Sequence, residues 1–201
     1  MISDTHKLIF YTIGKTGTTS IMDTLYMQGC NFHGAKHIPP FYFNLVPAQF
    51  KYFKFSFIRN PWDKIISTWN FHINHYKASP VYKKNISFDN FLKLWDMNRI
   101  LTNENIDLIK KEDKIYSTDR ISQIDWLSDN EGNLMVDFVG KFENLQKDFD
   151  VICEKIDIPQ INLSVSNKFF HKHYREYYTE HTKEVVRERF NKDIEYGGYE
   201  F

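Results

Sequence analysis

Residues 10–25, FYTIGKTGTTSIMDTL, run from an apolar stretch through Gly-Lys-Thr-Gly-Thr-Thr-Ser into apolar positions at helical spacing. The pattern predicts a strand, a tight polar turn and a helix start. Such a junction suits an anion: backbone N–H groups and the positive end of the helix dipole meet at the turn, and Lys15 adds a full charge. A helix cap needs one hydroxyl, whereas Thr16, Thr18, Thr19 and Ser20 offer several. Gly14, Lys15, Thr16, Gly17, Thr18, Thr19 and Ser20 therefore read as a binding loop. A triphosphate loop, G-x-x-x-x-G-K-[ST], would place glycine at position 9, but that position is Ile9, inside the strand. The loop is too short to wrap a triphosphate and suits a 5′-phosphate carrying one further group.

Outward from this stretch, strand-like and helix-like segments alternate. KLIFYTI (7–13) and KFSFIRN (54–60) read as strands, and 18–28 as a helix. A helix over 61–77 places Trp62, Ile65, Ile66, Trp69, Ile73 and Tyr76 on one stripe. Ser87 caps a helix running to about Asn98. LMVDFVGKF (134–142) reads as one or two short strands, followed by a helix with Leu145, Phe149, Ile152 and Ile156 on one face, and a last helix covers 180–196. The alternation predicts an α/β fold, a mainly parallel central sheet flanked by helices, in a single domain over 1–201. Ligands of such sheets bind outside the carboxyl ends of the strands. Arg59 and Asn60 stand at the second strand's end, Pro61 opens the next helix, and Ser67 follows eight residues after the arginine. An arginine fork with a nearby hydroxyl suits a second phosphate. Two anion sites on neighbouring strand ends describe a nucleoside phosphorylated at both ends.

Composition narrows the classes. The chain has 26 basic and 26 acidic residues in 201, a net charge of zero, so no global field favours nucleic acid. No apolar run reaches the roughly 18 residues of a spanning helix, and MISDTHKLIF lacks the pattern of a secretory leader. The expectation is a cytoplasmic protein with Cys30 and Cys153 as ordinary buried thiols. The link CNFHGAKHIPPFYF carries His33 and His37 and should cross above the strand ends. A histidine pKa of about 6.5 suits proton removal at neutral pH. His72 and His75 read as surface residues of the helix after Arg59, and KKED (110–113) as a solvated face. The aromatic run IPPFYFNLVPAQFKYF is either packing or a stacking surface for a ligand.

YTIGKTGTTS resembles the 5′-phosphosulfate loop of sulfotransferases, and FIRNPWDKIISTW resembles their 3′-phosphate motif with the arginine-to-serine spacing intact. VDFVGKFENLQKDFDVICEKI and HYREYYTEHTKEVVRERFNKDIEYGGYEF resemble the carboxyl half of the carbohydrate-type (family 2) sulfotransferase domain, with residues 78–132 the weakest part. The resemblance implies a P-loop nucleotide-kinase-like fold. The implied donor is 3′-phosphoadenosine 5′-phosphosulfate (PAPS), which leaves as adenosine 3′,5′-bisphosphate (PAP). The implied acceptor is a hydroxyl of a small molecule or oligosaccharide. It favours His37 as the base, with His33 second, and suggests that Tyr174 and Arg175 fold over the 3′-phosphate. Lys15 would neutralise the departing phosphate oxygen. The transferred group carries less charge than a phosphoryl group, and no metal is expected. Gly14 stands where many relatives have proline. The rival readings are an ATP-dependent kinase on the same fold and a nucleotide-binding module without catalysis.

Overall fold

The structure, a computed structural model, describes residues 1–43, 45–74, 85–97, 121–164 and 172–201. The expectations for His75, Tyr76 and residues 110–113 fall outside them. The chain divides into two compact units, Met1–Asn60 with Gln123–Lys168, and Pro61–Ser122 with Phe169–Phe201. Among the described residues its helices are α1 (Thr18–Met27), α2 (Pro61–Asn74), α3 (Phe88–Met97), α4 (Gln123–Leu127), α5 (Leu145–Lys155), α6 (Glu180–Arg189) and α7 (Asn191–Gly197). Among the described residues, no helix is long and apolar enough to cross a membrane.

The first unit holds a sheet in the order β1 (Ile2–Ser3), β2 (Leu8–Phe10), β3 (Phe53–Ile58), β4 (Phe138–Lys141). β2, β3 and β4 are parallel, and the short β1 runs antiparallel to β2. The period-2 alternation of strands sends Leu8, Phe10, Phe55 and Phe57 to one face. There they share a core with Ile21, Met22 and Leu25 of α1 and Phe149, Ile152 and Cys153 of α5. Each such side chain contributes about 1.5–3 kcal/mol by leaving water. Phe10 and Phe55, directly paired, stack with centroids 4.7 Å apart. Phe57 pairs with Gly140, and a β-carbon at Gly140 would collide with the phenyl ring. Cys30 and Cys153 are free and buried in this core, and burial pushes the Cys30 thiol up to about 11.

β2 is shorter than the apolar run predicts. The Tyr11 N–H still bonds Phe55 O at 2.9 Å, but beyond it the chain turns into the polar loop. The second unit has no strand among its described residues. Trp62, Ile65 and Ile66 of α2 pack with Phe88, Phe91 and Leu92 of α3 and with Val186 and Phe190. The Trp62 indole donates to Lys183 O at 3.0 Å, and Phe201 meets its ring edge-on at 5.5 Å. Asn90 N–H reaches Ser87 Oγ at 3.4 Å, the cap expected before α3. The single helix expected over 180–196 is two helices. Phe190, at φ −114° and ψ 28°, leaves helical geometry between α6 and α7 and is buried in the second core. Tertiary burial of that ring overrides local helix propensity.

Candidate functional site

Three polar segments leave the carboxyl ends of three adjacent parallel strands: Thr12–Gly17 after β2, Arg59–Asn60 after β3, and the turn Phe142–Asn144 after β4. In the first, Lys15 has φ 66°, left-handed geometry that a residue with a β-carbon rarely adopts. Gly17 follows at φ 81°, and a β-carbon there would stand 2.9 Å from Leu145 Cδ2. Glycine is needed here for both conformation and clearance. The hydroxyls of Thr16 and Thr18 both donate to Ile13 O, at 2.9 and 2.8 Å. They lock the turn rather than point outward. Thr19 is exposed, while Ser20 is buried. The Ile21 N–H bonds Gly17 O at 3.1 Å, so the Thr18 and Thr19 N–H groups precede the helix's own ladder. This is where a helix offers donors to an anion.

Arg59 is only 7% exposed. Its Nη1 donates to Lys15 O at 3.0 Å, and its guanidinium lies over the Phe142 ring, 4.0 Å from the centroid. Its backbone is pinned by Gln123, which accepts from Arg59 N–H at 2.9 Å and donates to Arg59 O at 2.8 Å. The Glu143 carboxylate accepts from Asn60 N–H at 2.7 Å. Arg59 thus fastens the lysine turn to the neighbouring strand end. Ser67 is half-buried on α2, and its place in the reading rests on its spacing from Arg59.

The two link histidines part company. His33 pairs with Ile2 in an isolated bridge, and its Nε2 lies 2.8 Å from Asp4 Oδ2. Asp4 follows β1, beside the amino end of β2. The Gln49 amide and the Tyr52 hydroxyl donate to the same carboxylate at 3.1 and 2.9 Å. The bonds from Gln49, Tyr52 and His33 hold the Asp4 carboxyl below its usual range. His37 goes to the carboxyl end instead: its N–H donates to Thr12 Oγ1 at 2.8 Å, and its Nδ1 lies 3.2 Å from Thr12 O. His37 too is left-handed, at φ 59°, and it is exposed. Next to Thr12 in the chain, burial pushes the Tyr11 phenol up to about 12, so Tyr11 is a neutral packing ring, edge-on to Phe43 at 5.0 Å.

His72, read from the sequence as a surface residue, is 1% exposed, with its ring centroid 6.4 Å from that of Phe91. The helical stripe Lys64, Thr68 and His72 is buried along with the apolar one. Tyr174 and Arg175 sit on a short 3-10 turn of the second unit. Tyr174 packs edge-on against Phe201 at 5.7 Å, and Arg175 is exposed, with its guanidinium 5.9 Å from the Phe201 ring. The aromatic run after His37 divides: Phe43 packs inward, while Phe41, Val46 and Phe50 are 55%, 55% and 63% exposed.

Sequence reasoning passed over Thr12, Gln123, Phe142 and Glu143. The strand-end rule that singled out Arg59 applies equally to Phe142 and Glu143 after β4 and would have found them. Thr12 and Gln123 act across separations of 25 and 64 residues and leave no local pattern.

The mostly parallel sheet ends in a left-handed lysine turn, braced by arginine from the next strand, an arrangement suited to an anion. The model of the sulfotransferase family matches residues 1–197, and the chain belongs to that family. It is thus a transferase of sulfuryl groups. None of the curated proteins matches the chain.

Proposed function

We propose that the chain moves the sulfuryl group of PAPS to an acceptor hydroxyl, on a P-loop nucleotide-kinase-like fold, with a carbohydrate as the acceptor class. The observation that carries the reading is the Lys15 turn, set at the mouth of α1 and held through its own carbonyl by Arg59. In this reading the 5′-phosphosulfate lies against the first-turn N–H groups of α1. Lys15 neutralises the charge that grows on the bridging oxygen as it leaves. Arg59 recognises the 3′-phosphate with donors of its guanidinium fork. Ser67 joins it on the strength of the spacing alone, and Tyr174 and Arg175 on the strength of the resemblance alone. His37 takes the acceptor proton as the acceptor oxygen bonds to sulfur and the S–O bond to the 5′-phosphate breaks. The products are a sulfate ester, PAP and a protonated imidazole that returns its proton to water.

A phosphoryl-transfer reading is disfavoured by Ile9. It is fully buried and paired with both Ile2 and Lys54, so no glycine-led loop extends back to wrap a triphosphate. Thermal shifts with PAP and with ATP plus magnesium separate the two readings: PAP should stabilise the protein more. Transfer from radiolabelled PAPS to a panel of sugars and oligosaccharides then tests the acceptor class. Labelling of lipid or protein acceptors alone would remove the carbohydrate assignment and leave the donor assignment standing.

A further inference from the structure

We propose that Thr12 positions His37 and fixes its tautomer, so that Nε2 is presented as the proton acceptor; this rests on His37 as the base of the proposed reaction. Thr12 is 1% exposed and stands three residues before Lys15 on the segment that leaves β2. Both of its oxygens meet His37: Oγ1 accepts from the backbone N–H at 2.8 Å, and the carbonyl oxygen lies 3.2 Å from Nδ1. A carbonyl can only accept, so the bond to Nδ1 requires that Nδ1 carry the proton. The neutral ring then has its lone pair at Nε2.

Two further facts give the hydroxyl a purpose. Thr12 follows the buried β2 run, where valine would fill the same volume without a polar atom to satisfy, and a buried hydroxyl costs stability unless it is bonded. Its partner is a residue whose backbone needs holding. His37 is left-handed without being glycine and is exposed. The bond from its N–H to Thr12 helps hold that conformation. Strained backbone held by a specific bond is typical of functional positions. The same short segment therefore places both the leaving-group cation and the base.

The test uses the full chain labelled with 15N-histidine. Long-range proton–nitrogen spectra above the imidazole titration report the tautomer, and the His37 signals are assigned by their loss in His37→Ala. The parent should show the Nδ1–H tautomer. Thr12→Val keeps the carbonyl but removes the bond to the His37 N–H that holds the ring beside it, and should therefore release the ring to a mixture of tautomers. It should also slow sulfate release from radiolabelled PAPS, with water as acceptor, by roughly tenfold to a hundredfold, while PAP affinity is unchanged. Thr12→Ser should retain the parent tautomer and most of the rate. An Nε2–H tautomer in the parent overturns the proposal even if Thr12→Val does not fold, as does a Thr12→Val protein with parent tautomer and parent rate. If His37→Ala releases sulfate at the parent rate, the base assignment fails, and the spectra still judge the role of Thr12.

Discussion

The two edges of the sheet use similar side chains to opposite ends. At the amino edge, the exposed Asp4 gathers His33, Gln49 and Tyr52. It pins both ends of the long link between α1 and β3 while leaving every partner in an ordinary backbone conformation. At the carboxyl edge, Arg59 is buried and Lys15 and His37 are both left-handed; Gln123 orients Arg59, Thr12 orients His37, and Glu143 holds the adjoining Asn60 N–H. Exposed polar ties of the first kind contribute little to stability. Buried charge and strained backbone of the second kind persist where a site requires them. The histidines, four residues apart in one link, sort themselves between the edges, and in the proposed reaction the carboxyl edge carries the chemistry.

The largest expected effect breaks the comparison at its sharpest point. His37→Ala should lower sulfuryl transfer by about 10²–10⁴, the range of a positioned base, whereas His33→Ala should retain most of the rate; a pH–rate profile of both variants checks the assignment. Loss of the alkaline-rising limb in His33→Ala, with the limb kept in His37→Ala, would reverse the roles of the two edges. Next, Lys15→Ala should reduce kcat by roughly 10²–10³. Lys15→Arg should recover little of it, since a planar fork does not replace a point charge.

Gly17→Ala sharpens the comparison through stability. The left-handed backbone costs a residue with a β-carbon about 1–2 kcal/mol, to which the approach to Leu145 adds. Calorimetry should show Tm lower by at least about 2–8 °C. The smallest effect lies at the amino edge. Asp4 has a depressed pKa when folded, so its contribution is present above the unfolded value and is lost as pH falls through the folded one. Parent Tm should decline below about pH 4, and Asp4→Asn should flatten that decline while leaving transfer activity at neutral pH intact.

Much of the carboxyl edge was legible in the sequence because it is built from local signals. An apolar run followed by GKTGTT announces a strand, turn and helix, and a strand ending in Arg-Asn-Pro announces another. The rest depends on partners distant in the chain. Nothing near Phe190 says that its ring will be drawn into the second core and divide the last helix. The histidines His33 and His37 have equally polar neighbourhoods in the sequence. They separate only because Asp4 and Thr12, 29 and 25 residues away, capture one each. The hydroxyls of Thr16 and Thr18 looked like anion ligands, since a sequence cannot show that Ile13 O claims both.

The central claim is that the carboxyl edge recognises a nucleoside phosphorylated at both ends, and titration calorimetry of PAP and AMP against the parent and Arg59→Ala tests it most directly. Because both ligands carry the 5′-phosphate, the ratio of their affinities cancels any loosening of the Lys15 turn that the mutation causes through the lost bond to Lys15 O. The parent should prefer PAP, and Arg59→Ala should lose about 1.5–3 kcal/mol of that preference. Equal affinity of the parent for PAP and AMP, or full discrimination retained by Arg59→Ala, would contradict the account.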